Sequence, residues 1–137
     1  MANFVYTDAK VTINSVDLST AIRKVSLSVE VDGQENTAMG GAGWRSRLGG
    51  LRDSTCELEF AQDFAAAQVD ATLWAVLGTT TTVAVRPTSG AISATNPEYI
   101  GSMLLEEYSP IDGEVGDAAT ASVTFIGSGA LTRDTTP

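Results

Sequence analysis

Two groups of carboxylates in this sequence have the residue types and spacing that could do chemistry. Asp112, Glu114 and Asp117 lie in the glycine-containing stretch PIDGEVGD, and clustered oxygen ligands are what Ca²⁺ prefers. Their spacing does not match the twelve-residue helix–loop–helix calcium pattern, so a solvated turn is favoured over a metal site. Glu57 and Glu59 are two residues apart in a strand-like segment, which places them on one face about 7 Å apart. That separation is compatible with a hydrolase, but no substrate cleft is indicated and a solvated sheet face is the better explanation of the pair.

Other common catalytic and binding designs are missing from the sequence. The chain contains no histidine, which removes the commonest general base and the commonest zinc ligand. Its one cysteine, Cys56, cannot form an intrachain disulfide and is expected to be a small core residue. The stretch GGAG, 40–43, lacks the Lys-Ser/Thr that completes a phosphate-binding loop. We therefore expect a protein that is not an enzyme and needs no metal or cofactor.

Length and charge narrow the class of protein further. The 137 residues fit one domain, 1–137, with a net charge of −9. Binding to nucleic acid through a broad basic patch is not expected, because phosphate affinity comes chiefly from clustered Lys and Arg. No segment approaches the run of about twenty apolar residues that a membrane span requires. The N-terminus also lacks the pattern of a secretion signal, so we expect a soluble, cytosol-made protein that does not bind membranes.

The elements that must position these residues are mainly strands. Six segments have strand-like composition or alternation: 11–16, 22–32, 54–60, 80–87, 99–108 and 119–127. Residues 64–77 have a helical period instead, with Asp63 as the expected N-cap and Gly78 as the residue that ends the helix. Trp74 is expected beside the core, at the edge of an apolar helix stripe formed by Val69, Leu73, Val76 and Leu77 with Ala65 and Ala66. The pattern predicts an antiparallel β domain with one helix.

Two of the predicted strands, 22–32 and 54–60, have a distinctive polar face. Their expected inward residues are apolar: Val25, Leu27, Val29 and Val31 in the first, and Cys56, Leu58 and Phe60 in the second. The residues between them are small or acidic, which is typical of a sheet buried on one side only. Solubility is one explanation of such an acidic face, and a surface that must not adhere to DNA is another.

The segment 33–53 is predicted to be a long functional loop. It holds six of the thirteen glycines and three of the eight basic residues, and it has neither a helical nor a strand period. Loops of this length in small domains are typically functional or disordered, and Trp44, Leu48 and Leu51 argue against disorder because large apolar groups gain from burial. Arg45, Arg47 and Arg52 are either solvated or docked against an acidic surface.

The order of motifs along the chain resembles the major tail tube protein of long-tailed, especially non-contractile, bacteriophages. The likeness extends from about residue 4 to residue 133, and no single motif is diagnostic. The motifs are, in order, GWRSRLGGLRD, CELEFAQD, TVAVRP, NPEYIG, EEYSP, DGEVGD and GALTR. The resemblance implies a β-sandwich or barrel-like domain with one flanking α-helix. It also implies a core of about 4–127, an inter-subunit loop 33–53 and a C-terminal arm 128–137.

The resemblance further implies a structural virion protein that assembles, in the host cytoplasm, into stacked hexameric rings. Strands of neighbouring copies would pair into one barrel around a channel. The tape measure protein would fill that channel during assembly, double-stranded DNA would pass through it on ejection, and tail terminator and distal tail proteins would cover the ends. The expected contacts of the loop with other copies are Trp44, Arg45, Arg47, Leu48, Leu51 and Arg52.

Strand alternation then assigns the small and acidic face to the channel, because a lumen without cations would let DNA slide. The expected lumen-facing residues are Ser26, Ser28, Glu30, Glu57, Glu59, Ser122 and Thr124. A capsid decoration protein or another non-enzymatic β-sandwich binding module is the alternative. Such a module explains the composition and the strands equally well, but it explains the loop with tryptophan and arginine less well.

Overall fold

The computed structural model describes residues 5–136, so the first four residues and the last residue of the predicted domain 1–137 lie outside the described part. Within that part the chain forms one seven-stranded sheet, one α-helix and a short 3₁₀ turn at Ser19–Ala21. The strands are β1 (Lys10–Ile13), β2 (Val16–Asp17), β3 (Ile22–Glu35), β4 (Arg47–Ala61), β5 (Thr80–Arg86), β6 (Glu98–Asp112) and β7 (Thr120–Asp134), and the helix α1 is Val69–Val76. The prediction of a mainly β, antiparallel fold with one flanking helix is confirmed.

The sheet has the strand order β2-β1-β5-β6-β7-β4-β3, and every pairing is antiparallel. Four long neighbours, β6, β7, β4 and β3, form one half of it, with 14 or 15 residues each. The two-residue β2 is one edge, and the 14-residue β3 is the other. A long strand is therefore left at an edge of the sheet.

The core forms where apolar residues of adjacent strands fall in the same cross-strand row. Leu27 is opposite Cys56, which is opposite Phe125, which is opposite Leu105. The last three of these side chains are fully buried, because α1 covers this side of the sheet. The core consists of Val11, Ile13, Leu18, Cys56, Leu58, Phe60, Val69, Leu73, Val76, Val83, Val85, Met103, Leu105, Ala121, Val123 and Phe125.

The first predicted strand, 11–16, is instead a tight hairpin of β1 and β2. Asn14 and Ser15 both have positive φ, 51° and 66°, which is the conformation of the two-residue turns that match the twist of paired strands. Asn tolerates this conformation better than most residues. The alternation that suggested one strand therefore spans a reversal of the chain.

The helix is shorter than predicted, because it begins at Val69 rather than near residue 64. Ala67 has φ 61°, a left-handed conformation that an α-helix cannot contain. The predicted N-cap, Asp63, accepts a hydrogen bond from the Ala65 amide at 2.9 Å, which is a local turn and not a helix cap. The predicted end of the helix at Gly78 is confirmed. Gly78 has a φ of 79°, the left-handed conformation that commonly follows the last helical turn.

Consequently the helix stripe is narrower than predicted. Val69, Leu73 and Val76 are buried, whereas Ala65 and Ala66 precede the helix and are exposed. Trp74 is 65% exposed, so its predicted place beside the core is wrong. It lies on the solvent side of α1.

Two predicted irregular segments are strands in the structure. In 33–53, β3 continues to Glu35 and β4 starts at Arg47, with Gly33 opposite Gly49. Near the C-terminus, β7 continues to Asp134 through the segment 128–134, which pairs with the first part of β6. Most of the predicted C-terminal arm 128–137 is therefore part of the sheet. Glycines in both segments interrupt the side-chain alternation from which a strand is predicted. The backbone hydrogen bonds that pair two strands do not require that alternation.

Side-chain hydrogen bonds join α1 to the sheet. The Tyr108 hydroxyl donates to Asp70 Oδ1 at 2.8 Å, and Gln62 Nε2 donates to the Pro110 carbonyl at 2.6 Å and to the Tyr108 hydroxyl at 3.2 Å. Burial raises the pKa of Tyr108 to about 12. The hydrogen bond from Gln62 opposes this rise, and the Asp70 carboxylate adds to it. This network positions the start of α1 over β6.

A close contact between Gly127 of β7 and Ser54 of β4 leads to a first prediction. A Cβ at Gly127 would lie 2.2 Å from Ser54 Oγ and 3.3 Å from the Ser54 backbone nitrogen and oxygen. Gly127→Ala should therefore lower the free energy of unfolding by about 1–3 kcal/mol, the usual cost of overpacking, as measured by urea denaturation.

Gly33→Ala is the matched control for that variant, since a Cβ at Gly33 meets nothing within 4 Å. The double variant Ser54→Ala/Gly127→Ala, which lacks the nearest clashing oxygen, should lose less stability than the two single losses added together. A Gly127→Ala protein as stable as the wild type would contradict the close approach of these strands.

The buried thiol of Cys56 leads to a second prediction, on pH. Cys56 is 0% exposed, and burial, assisted by the neighbouring Glu57 charge, raises the pKa of its thiol from 9.0 to about 12. Above pH 9 the unfolded chain loses this proton and the folded chain keeps it, so the free energy of unfolding falls as pH rises between the two pKa values. The expected slope is up to about 1.4 kcal/mol per pH unit.

Urea denaturation at pH 8 and at pH 10.5 measures this loss. Cys56→Ala should lower stability at pH 8 and show a clearly smaller loss between the two pH values, because it has no thiol to ionise. Equal losses in the two proteins would show that the thiol is not the titrating group.

Candidate inter-subunit surfaces

Strands β3 and β4 extend beyond the core as a hairpin arm, which we define as residues 29–53. Strand β4 pairs with β7 only from Thr55 to Ala61, so its earlier residues pair with β3 alone. Every residue of the arm is exposed. Val29 and Val31 are on the core side of β3 as predicted, yet they are 56% and 53% exposed, because the strand passes the end of the core there.

The tip of the arm, residues 36–46, has defined hydrogen bonds. The Asn36 amide donates to the Ser46 carbonyl at 2.9 Å, and the Ser46 amide donates to Thr37 Oγ1 at 2.9 Å. Further out, the Trp44 amide donates to the Gly41 carbonyl at 3.0 Å. These bonds shape a turn that presents Trp44 at the end of the arm.

All six residues that the sequence predicted as inter-subunit contacts lie on this arm and are exposed: Trp44, Arg45, Arg47, Leu48, Leu51 and Arg52. Trp44 is 80% exposed, Leu51 84% and Leu48 58%. Met39, which the sequence reasoning did not select, is fully exposed at the tip. Large apolar side chains grouped in one exposed place are typical of an interaction surface.

The basic residues of the arm are confined to its segment 36–52, which lies between acidic residues of the arm at positions 30, 32, 35 and 53. Residues 36–52 contain three arginines and no acidic residue, in a protein of net charge −9. Arg45 Nε is 3.6 Å from Glu35 Oε1, but these side chains are 71% and 52% exposed. A pair as exposed as this contributes little to stability, so the arginine is available to another partner.

The seven predicted lumen residues share one face of the sheet, opposite the core. The cross-strand rows establish this: Ser26 is opposite Glu57, which is opposite Thr124, and Glu59 is opposite Ser122. Ser28 and Glu30 follow Ser26 at the strand period of two. We call this side of the four long strands the outer face.

The outer face contains acidic residues that the sequence reasoning missed. Asp53 is opposite Glu30, and Glu107 is opposite Thr124. Asp53 continues the alternation of β4 backwards, but it fell inside the segment predicted to be a loop. Glu107 follows a register shift between Leu105 and Glu107, which a simple period of two does not anticipate. Lys24, opposite Glu59, is a basic residue on the same face.

The carboxylates considered for chemistry are on open surfaces. Glu57 is exposed and Glu59 half-buried on the outer face, and Asp112, Glu114 and Asp117 are exposed at the turn between β6 and β7, with Arg23 beside them. Within residues 5–136 no group of three or more potential metal ligands comes together. In the same residues no helix is long and apolar enough to cross a membrane.

Sequence comparison identifies no relative: no protein-family model and no curated protein matches this chain. Solved structures do match. A chain of the virion of a native gene transfer agent particle has a TM-score of 0.74 at 17% identity, covering 93% of this chain and 95% of its own length. A chain from the tail of an empty gene transfer agent particle, refined with C6 symmetry, has a TM-score of 0.73 at 16% identity, covering 98% and 99%.

The tail tube of SPP1 also matches, with a TM-score of 0.65 at 13% identity, covering 94% of this chain and 77% of the SPP1 chain. These identities are too low to compare individual residues. The matches cover 93–98% of this chain and 77–99% of the other chains, however, and not a shared half-sheet. This chain therefore has the tail tube fold.

Proposed function

We propose that this protein is the structural subunit of a hollow tail tube in a phage-like particle. The observation that carries the proposal is the likeness of fold to chains of a gene transfer agent virion, a gene transfer agent tail and the SPP1 tail tube, over 93–98% of this chain. In this proposal the chain has a structural and not a catalytic role, and its place is the virion tail after assembly in the host cytoplasm.

The open strand edges support lateral assembly into rings. Among the described residues, β3 has β4 on one side and no strand on the other, and residues 106–112 of β6 pair only with β7. Exposed edges of this length invite pairing with another chain. Closure of a ring through these edges would satisfy most of their backbone groups, although the Pro110 carbonyl already accepts a hydrogen bond from Gln62.

The direction of the strands is also suitable. Because β6, β7, β4 and β3 alternate in direction, β3 is antiparallel to β6. If β3 of one copy lies beside β6 of a copy rotated about the tube axis, the pairing between copies is antiparallel too, and the alternation continues around the ring. We propose six copies per ring, by analogy with the C6 symmetry of the gene transfer agent tail.

In such a ring the outer face would line the channel. Glu30, Asp53, Glu57, Glu59 and Glu107 would make its wall acidic, with Lys24 as a basic exception. DNA has one charge per about 1.7 Å of its axis, so an acidic wall repels it and does not retain it. The tape measure protein would occupy this channel during assembly, and tail terminator and distal tail proteins would cover the ends.

The hairpin arm would connect each subunit to other copies, with Trp44 as the anchor. Truncation of a buried interface tryptophan typically costs 2 kcal/mol or more, by order of magnitude. Trp44→Ala should therefore leave the subunit folded but prevent tube growth. Circular dichroism would report the fold, and negative-stain microscopy would report rings and tubes in concentrated wild-type and variant protein.

Trp74→Ala is the control for that experiment, because Trp74 is similarly exposed, at 65%, but lies on α1 away from the arm. It should assemble like the wild type. If Trp44→Ala forms tubes of normal length, the arm is not an assembly contact. Wild-type protein that remains monomeric, together with native particles in which antibodies label the capsid instead of the tail, would favour a decoration protein.

The charge of the channel wall can be tested separately. Tubes of the Glu57→Lys/Glu59→Lys variant should retain short duplex DNA that is protected from nuclease, and added salt should release it steeply. Wild-type tubes should retain none. Ala71→Lys/Ala75→Lys places two lysines on exposed positions of α1, so any DNA it binds should stay sensitive to nuclease. If tubes of Ala71→Lys/Ala75→Lys protect DNA from nuclease and tubes of Glu57→Lys/Glu59→Lys do not, the outer face is on the outside of the tube.

A further inference from the structure

The two strand edges that would meet in a ring have opposite charge in the parts that can meet. Residues 106–112, which we call the free edge of β6, contain three acidic residues and no basic one, whereas residues 22–29 of β3 contain two basic residues and no acidic one. Strand β3 starts at the end of the sheet where β6 finishes, next to the turn 113–119. These two parts therefore lie side by side when β3 of one copy is added to β6 of the next.

The rest of β3 has the opposite sign. Residues 30–35 contain three acidic residues and no basic one. The part of β6 at that end of the sheet, residues 99–104, already pairs with β5 and offers no free edge. The change of sign along β3 thus coincides with the change along β6 from a covered edge to a free one.

Lys24 is the basic residue of β3 on the outer face. It is exposed and lies opposite Glu59, yet it forms no ion pair among the residues that the structure describes. Arg23 precedes it at a register shift and lies beside the turn 113–119. A lysine on an edge strand opposes pairing with an uncharged edge, because its charge would lose water without gaining a partner. An edge that presents a carboxylate supplies that partner.

Glu107 is the carboxylate in the matching position. It is exposed on the outer face at the free edge of β6, at the end of the cross-strand row Ser26, Glu57, Thr124 and Glu107. If this row continues to Ser26 of the neighbouring copy, Lys24 of that copy is diagonal to Glu107. Such diagonal positions are about 7–8 Å apart, which long side chains can bridge. A stagger of two residues would place Lys24 directly opposite Glu107.

Other registers are disfavoured by the same charges. A shift of one residue would exchange the two faces of the sheet. A stagger in the other direction moves Lys24 away from Glu107 and, at four residues, brings Glu30 opposite it. Like charges directly opposite each other are destabilising. Backbone hydrogen bonds alone do not distinguish these registers, so the charged side chains supply the specificity.

We infer that Lys24 pairs with Glu107 of the neighbouring copy in the same ring, and that this pair sets the register in which the ring closes. The inference rests on the proposed function. The contact joins two different surfaces of identical chains, so each copy contributes one partner to each of its two neighbours. It also gives a role to Lys24, the basic exception on the acidic channel wall.

Zero-length cross-linking with a carbodiimide tests the contact directly, because this reagent joins an amine only to a carboxylate that touches it. The chain has two lysines, Lys10 and Lys24, so the products are few. In tubes assembled from isotope-labelled and unlabelled wild-type chains, mass spectrometry should find Lys24 joined to Glu107 of a different chain. Lys24 joined only to Glu59 of its own chain in such tubes would overturn the inference.

Charge reversal tests the energetic role of the pair. Lys24→Glu and Glu107→Lys should each fold, since both residues are exposed. Each should need about tenfold more protein than the wild type to form rings, because a like-charge contact replaces an attractive one at every junction. Sedimentation velocity measures the rings, and circular dichroism checks the fold. If either variant misfolds, Lys24→Met and Glu107→Gln replace the pair and should both weaken ring formation.

Glu57→Lys is the matched control for Glu107→Lys. It makes the same change of charge in the same cross-strand row, but on β4, away from the free edges. It should form rings like the wild type. Weakening of rings by Glu57→Lys as strong as that by Glu107→Lys would show a general effect of charge and overturn the specific pair.

A mixture of the two reversed variants provides a rescue. When Lys24→Glu and Glu107→Lys chains alternate around a ring, every junction again joins opposite charges. The mixture should therefore form rings at concentrations where neither variant does, and native mass spectrometry with one variant isotope-labelled should find three of each in a ring of six. The double variant Lys24→Glu/Glu107→Lys, whose net charge equals that of the wild type, −9, should also form rings.

The outcomes separate this inference from the proposed function. If wild-type rings form but either reversed variant assembles normally, or the mixture and the double variant both fail, the pair of Lys24 and Glu107 is wrong and the proposed tube remains. Wild-type protein that makes neither rings nor tubes, even when seeded with native tails, would overturn the proposed tube itself.

Discussion

The cross-strand register of β3, β4, β7 and β6 is the constraint on which the rest of the structure depends. It aligns the apolar residue of one strand with the apolar residues of its neighbours, so that a row such as Leu27, Cys56, Phe125 and Leu105 faces α1. The same alignment collects the intervening residues, among them Glu57 and Thr124, on the outer face. A slip of one residue would exchange the two faces. A dry core and an acidic surface are therefore two results of a single register.

The long strands exceed the core that they enclose, and the excess provides the surfaces that the proposed assembly would use. On the N-terminal side of Ser54, β4 no longer pairs with β7 and pairs only with β3, in the arm. There Val29 and Val31 have no core to cover. At the other side of the sheet, β6 passes the end of β5. Unpaired edges and exposed apolar groups are a liability in an isolated domain, and a ring or a stack of rings would cover both.

Strong local signals made much of this fold predictable. Alternation identified the faces of β3, β4 and β7, including the seven residues that were predicted to face a channel and that share the outer face, and the switch in period identified α1 with its end at Gly78. The failures occurred where backbone geometry and not side-chain pattern decides the structure. Asn14 and Ser15 reverse the chain, Ala67 stops the helix, and Gly33 opposite Gly49 continues a ladder that shows no alternation.

By itself the sequence determined the class of fold, the acidity of one strand face and the basic, aromatic character of the segment 33–53, because these properties follow from the order of side chains along a strand. Only the tertiary structure decided which strands are neighbours. That choice places the arm and the turn 113–119 at opposite ends, exposes Trp74, leaves β3 as an edge and brings Asp53 and Glu107 onto the outer face. The reason is physical: pairing between strands distant in the chain depends on the packing of the whole core, and no local pattern contains that information.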